Sequence, residues 1–151
     1  MWRSICISLL CCVRLAAYQE VAKLTAADAA ADDRFGHRVA MDGGTVVVGA
    51  YRKDGQTGAA YVYRTSDGGA TYGQVARLTA SDAAADDYFG VSVAIDGDTI
   101  AVGAYADDYD RGTAYVFRAS DGTQLAKVTA ADGAAGDECG GSVAVSGDTS
   151  A

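Results

Sequence analysis

Between residues 37 and 129, apolar and polar positions alternate in short runs, and turn residues close each run. Residues 37–41 place His37, Val39 and Met41 on one side, and residues 45–51 form a run rich in β-branched side chains. Residues 59–65 set Tyr61 and Tyr63 opposite Val62, and residues 72–79 complete a fourth run. A period of two is the mark of half-buried strands. Between the runs stand Asp42-Gly43-Gly44, the loop 52–58, and Ser66-Asp67-Gly68-Gly69. Asp-Gly between alternating segments signals a hairpin, because glycine accepts the positive φ that a tight turn demands. The pattern predicts an antiparallel meander of four strands.

The plan then repeats, with runs at 91–95, 99–105, 113–118 and 124–129. Residues 72–118 restate residues 18–64 at an offset of 54, and a third copy starts near Gly122. Alanine- and aspartate-rich stretches at 26–34, 80–88 and 130–138 join the copies. They are too short to nucleate a helix in water and read as crossings from one meander's outer strand to the next one's inner strand. Four strands at a period near fifty are the sequence form of a β-propeller blade. The predicted fold is all-β, an open propeller of about two complete blades with a lone outer strand at 19–25 and a lone inner strand at 142–145. The implied divisions are a leader at 1–17, an incomplete preceding blade at 18–34, blades at 35–88 and 89–138, and the start of a third repeat at 139–151. Closed propellers use four or more blades. Two alone would leave apolar faces and strand edges open, so self-association through those faces is expected.

Composition narrows the function. Half of the 151 residues are apolar, which suffices for one modest core. Twenty acidic against twelve basic residues give a formal net charge of -8, and all the acids except Glu20 and Glu138 are aspartates, a residue of turns rather than helices. No run of basic residues offers a phosphate footprint, so nucleic acid is not an expected partner. Met1-Trp2-Arg3, the apolar run 5–13 and the small pair Ala16-Ala17 read as a secretory leader, with Arg14 as its flaw. That run is far shorter than the ~20 residues that span a bilayer, so no transmembrane segment is expected. Three of the four cysteines fall in this leader, which leaves Cys139 without an intrachain partner. It stands where the other copies carry phenylalanine and is expected to act as a small buried hydrophobe.

Certain residues recur in register. Phe35-Gly36 returns as Phe89-Gly90, and Val48-Gly49-Ala50-Tyr51 as Val102-Gly103-Ala104-Tyr105. These motifs resemble FG-GAP repeats, the units of the integrin α propeller and of many secreted proteins, with Tyr51 and Tyr105 in place of the family's proline. The resemblance covers about residues 18–151. It implies an extracellular or cell-surface binding module for a protein or glycan, with Phe35, Gly36, Gly49, Ala50, Phe89, Gly90, Gly103 and Ala104 as packing residues. Two other readings are a piece of a larger propeller without independent activity, and the accessory domain of a secreted hydrolase.

The family's calcium loop does not carry over. Its place is taken by Asp42-Gly43-Gly44 and Asp96-Gly97-Asp98, and a tight hairpin cannot supply six or more oxygen ligands. Asp107, Asp108 and Asp110 form the remaining acidic group, opposite the half-basic 52–55 of the first copy. The expectation is a solvated loop, with calcium as the alternative and no other cofactor. Asp28, Asp32 and Asp33 recur as Asp82, Asp86 and Asp87, which suggests Asx turns. His37 is the only histidine and its counterparts are Val91 and Gly141. No nucleophile–base pair is apparent, so no catalysis is expected.

Overall fold

The structure is a computed structural model that describes residues 20–147. Eight strands form two four-stranded antiparallel sheets. The first contains β1 (Arg38–Asp42), β2 (Thr45–Ala50), β3 (Ala59–Arg64) and β4 (Gly73–Leu78), in that spatial order. The second contains β5 (Ser92–Asp96), β6 (Thr99–Ala104), β7 (Thr113–Arg118) and β8 (Gln124–Val128). Their registers correspond residue for residue: Val48 faces Tyr61 across β2 and β3, and Val102 faces Tyr115 across β6 and β7. Each β3–β4 or β7–β8 ladder shifts register at the same point, between Val62 and Tyr63 and between Val116 and Phe117. These are two blades of an open propeller.

Alternation along the strands decides how the blades stack. One face of the first sheet, with Val47, Ala60, Val62 and Leu78, packs against Phe89, Ile100, Val102, Tyr115 and Phe117 of the second. Its other face carries Val46, Val48, Tyr61 and Tyr63, and residues Leu24, Phe35 and Tyr72 lie on it. Phe35 meets Tyr61 and Tyr63 edge to face at 5.6 and 6.2 Å, and Phe89 repeats this with Tyr115 and Phe117 at 5.5 and 5.8 Å. That geometry suits the ring quadrupoles. Phe89 is fully buried between the blades, whereas Phe35 is only half-buried.

The flanking strands expected at 19–25 and 142–145 do not form. Residues 20–25 and 142–147 join no ladder, because neither has a neighbouring strand of its own sheet among the described residues. Position 19 and the leader lie outside them. Cys139 is half-buried rather than fully enclosed, and it pairs with no other cysteine among the described residues. The open front of the first blade is exposed as expected: Val39 and Met41 are 58% and 65% accessible, while their counterparts Val93 and Ile95 pack into the inter-blade core.

Backbone hydrogen bonds join the blades beside their shared apolar core. The segment after β2 presents the carbonyls of Gln56 and Thr57 to the N–H groups of Tyr88 and Phe89, at 2.9 and 3.1 Å. Asp110 and Arg111 do the same for Glu138 and Cys139, both at 2.9 Å. So close an approach leaves no room for a Cβ at Gly49, which would collide with the Gly90 carbonyl, or at Gly103, which would collide with that of Gly140. The Gly-Ala step ending β2 and β6 is therefore a docking surface for the next unit.

Two stability outcomes follow. Gly103→Ala should cost about 3 kcal/mol in urea denaturation, because the obstruction is backbone that cannot rotate away. Tyr63→Phe should instead stabilise by about 1 kcal/mol, because the Tyr63 hydroxyl is buried without a partner and Phe117 already occupies the equivalent position.

Candidate functional site

Each blade carries an ionic cluster where its crossing segment meets the outer strands. In the first blade Tyr61, in β3, donates its hydroxyl proton to Asp28 at 2.8 Å, and Tyr115 does the same to Asp82 at 2.8 Å. The last aspartate of each crossing caps its own turn: Asp33, Asp87 and Asp137 accept the N–H of Ala30, Ala84 and Ala134, each at 2.7 Å. Asp33, Asp87 and Asp137 thus satisfy a loop N–H three residues earlier, a local cap rather than the expected Asx turn, while Asp28 and Asp82 serve the tyrosine hydroxyls.

The counter-charges differ between blades. In the first, Lys53 is buried, donates to the Asp28 carbonyl at 2.6 Å and pairs with Asp33 at 3.1 Å. Arg77 pairs with Asp28 at 3.2 Å and also with Asp54. In the second, Asp107 occupies the position of Lys53, and Lys127 occupies that of Arg77, as the pairing with Tyr115 and Tyr61 shows. Lys127 then bridges Asp82 at 2.6 Å and Asp107 at 2.8 Å, while the Tyr115 hydroxyl reaches Asp107 at 3.0 Å. Asp87 has lost the ammonium that its counterpart Asp33 keeps.

Titration follows this arrangement. Burial opposes ionisation of Asp28 and Asp107, yet hydrogen bonds and neighbouring cations outweigh it and hold both below the usual carboxylate range. The Lys127 hydrogen bond is the main cause of the lowered value at Asp82. Asp87 moves the other way, raised by burial and by the Asp107 and Asp82 carboxylates against one helpful N–H from Ala84. Stability drawn from the first three is present above about pH 4 and disappears as the pH falls through their lowered values. Asp87 favours its neutral form in the fold, so it weakens the fold once the pH rises through its raised value.

The three acidic residues proposed as a calcium alternative are not brought together. Asp107 is buried against Lys127, Asp108 is exposed and pairs with Arg111 at 2.9 Å, and Asp110 contributes its carbonyl to the next unit. Among the described residues, no group of three or more His, Cys, Asp or Glu side chains is placed to hold a metal ion. Tyr109, between them, is 85% accessible with a φ of 60°.

Of the packing residues named from the motif, Gly49, Phe89, Gly90 and Gly103 lie at contacts between units, whereas Phe35 and Gly36 stand on the open face of the first blade. Gly36 and Gly90 donate to the carbonyls of Gly49 and Gly103 at 3.1 and 2.9 Å, and Ala50 and Ala104 are fully buried beside them. Phe89-Gly90 thus docks on Gly49-Ala50, and Cys139-Gly140 docks on Gly103-Ala104 in the same way. The sequence profile of the FG-GAP repeat matches residues 18–63, 72–117 and 123–151. The chain belongs to the FG-GAP repeat family. No curated protein matches it in sequence. The junction residues serve packing, so the candidate binding surface is the rim, where the copies differ.

Sequence reading overlooked one feature of that rim. Arg34, Arg38 and Arg52, scattered along the chain, gather around His37 and Tyr51. Their counterparts are Tyr88, Ser92 and Ala106. Only the fold makes the cluster visible, because it joins the crossing, β1 and the segment after β2.

A contrast between blades tests the ionic account. Lys53→Met should cost about 3 kcal/mol, since it strands Asp33 next to the core without a cation. Asp87→Asn should stabilise at pH 7 and lose that advantage on acidification, as the native carboxyl becomes neutral too. Chemical denaturation of both variants at neutral and acid pH checks the pair of signs.

Proposed function

We propose that the chain is a non-catalytic binding module that acts outside the cell or on its surface and engages a protein or glycan through the rim of its blades. The observation that supports this is internal. The two copies keep glycine and alanine at the junction but differ at rim positions: the exposed Arg34, His37 and Arg52 stand against the half-buried Tyr88, Val91 and Ala106. A scaffold held by backbone contacts leaves such positions free to set specificity. Among the described residues no helix is long and apolar enough to cross a membrane.

A second reading is favoured by the exposed Val39 and Met41, whose counterparts in the second blade are packed. It makes the two blades part of a larger propeller, in which another blade covers that face. A second copy of the chain offers the same kind of cover.

Screening the full chain against an array of glycans and a peptide library tests the first reading. The expected result is a saturable ligand whose affinity falls with rim substitutions such as Arg34→Ala and not with the core substitution Tyr63→Phe. Failure of every ligand class to bind would overturn it.

A further inference from the structure

Ten basic residues lie among the described part of this acidic chain, and half of them are paired: Lys53, Arg77, Arg111, Arg118 and Lys127 all have aspartate partners. Arg34, Arg38 and Arg52 have none, although aspartates outnumber them severalfold. All three are exposed. They sit together because the backbone N–H of His37 bonds the Arg34 carbonyl at 3.1 Å and that of Arg52 bonds the Asp33 carbonyl at 3.3 Å. Arg38 donates to the His37 carbonyl at 3.2 Å, and the Arg52 guanidinium lies 5.7 Å from the centre of the Tyr51 ring. The imidazole of His37 is held below its usual value by desolvation and then by the charges of Arg38 and Arg34 beside it.

Aromatic rings run out of this patch. His37 and Tyr51 meet edge to face at 4.6 Å, and Tyr51 and Tyr88 lie 5.9 Å apart at a 47° tilt. All three rings are half-buried or exposed. Unpaired guanidinium forks match carboxylate or sulfate oxygens two at a time, and aromatic rings offer apolar plates to a flat-sided ligand ring. We infer that this patch is a subsite for an acidic glycan, a chain of sugar rings bearing carboxylate or sulfate groups.

The inference rests on the binding-module reading and names its ligand class. An acidic peptide would use the forks but leave the rings without mates. A nucleic acid strand would find plates for its bases, but Asp32 and Asp86, each two residues in sequence from an end of the patch, suit a ligand that offers hydroxyl donors beside its anions better than one with a phosphate at every step. The same carboxylates accept protons from sugar hydroxyls. None of these cationic positions is repeated in the second blade, so no packing requirement of the repeat accounts for them.

Calorimetric titration of the full chain with oligogalacturonate and with a sulfated oligosaccharide tests the inference and separates carboxylate from sulfate. Binding by either should weaken about tenfold with Arg38→Ala and about tenfold with Arg52→Ala, the loss of one charge-assisted contact each. Arg52→Gln, which keeps the stem of the side chain, guards against a folding effect, and thermal melts confirm that each variant is folded. Tyr51→Ala should weaken glycan binding and leave any binding of polyglutamate unchanged. Equal binding of a neutral oligosaccharide, tighter binding of polyglutamate or of a single-stranded oligonucleotide, or unchanged affinity in the folded arginine variants would overturn the proposal. So would the absence of binding to both acidic glycans. If another ligand from the array still binds the rim, the binding-module reading survives that failure.

Discussion

The close approach of backbone to backbone at the junction between units is the constraint on which the arrangement depends. The segment after β2 hands two carbonyls to the first residues of the next unit, and Gly90 lies over Gly49 with no space for a side chain between them. Hydrogen bonds of this kind need short distances and alignment, so they fix the position of the second sheet to within small tolerances. Once they form, Phe89 is carried into the interval between the sheets and both apolar faces close on it. The hydrophobic term supplies most of the stability, but it is non-directional. The glycine junction supplies the direction.

The charged layer outside that junction shows how loosely a repeat specifies its electrostatics. Both blades must satisfy a buried tyrosine hydroxyl and two aspartates of the crossing, and each does so with different cations. The first brings Lys53 and Arg77, whereas the second places Lys127 between Asp82 and Asp107. Ion pairing falls off slowly with distance and tolerates varied geometry, so a long side chain from either the outer strand or the loop can serve. The exchange has one cost, the buried carboxyl of Asp87, which is left with a single N–H and two carboxylate neighbours.

Because the blades are held from inside by backbone and apolar contacts, their rim is free of structural duty. Paired cations and unpaired cations divide along that line: Lys53, Arg77 and Lys127 hold crossings in place, while Arg34, Arg38 and Arg52 hold nothing in the fold. Among the described residues these three guanidiniums have no carboxylate partner and stand beside the half-buried rings of Tyr51 and Tyr88, a local concentration of positive charge on a chain that is acidic overall.

Strands, turns and the identity of the repeat were legible in the chain because they depend on local periodicity: alternation at β1 to β8, Asp-Gly at the hairpins, and two copies in register. A structural duty for Asp33 and Asp87 toward loop N–H groups was legible too, since each bond spans only three residues. Other features needed the tertiary structure. Residues 20–25 and 142–147 carry strand-like patterns yet join no ladder, because a strand is completed by a neighbour and not by its own alternation. Phe35 and Phe89 look identical in sequence, but only Phe89 lies between two sheets and is fully buried. Asp107, Asp108 and Asp110 are adjacent in the chain yet point to separate partners, while Arg34, Arg38 and Arg52 are scattered and converge. Local pattern determined which elements this chain makes. Burial and the convergence of charge are properties of the space between elements, and only the docking of one unit on the next decided them.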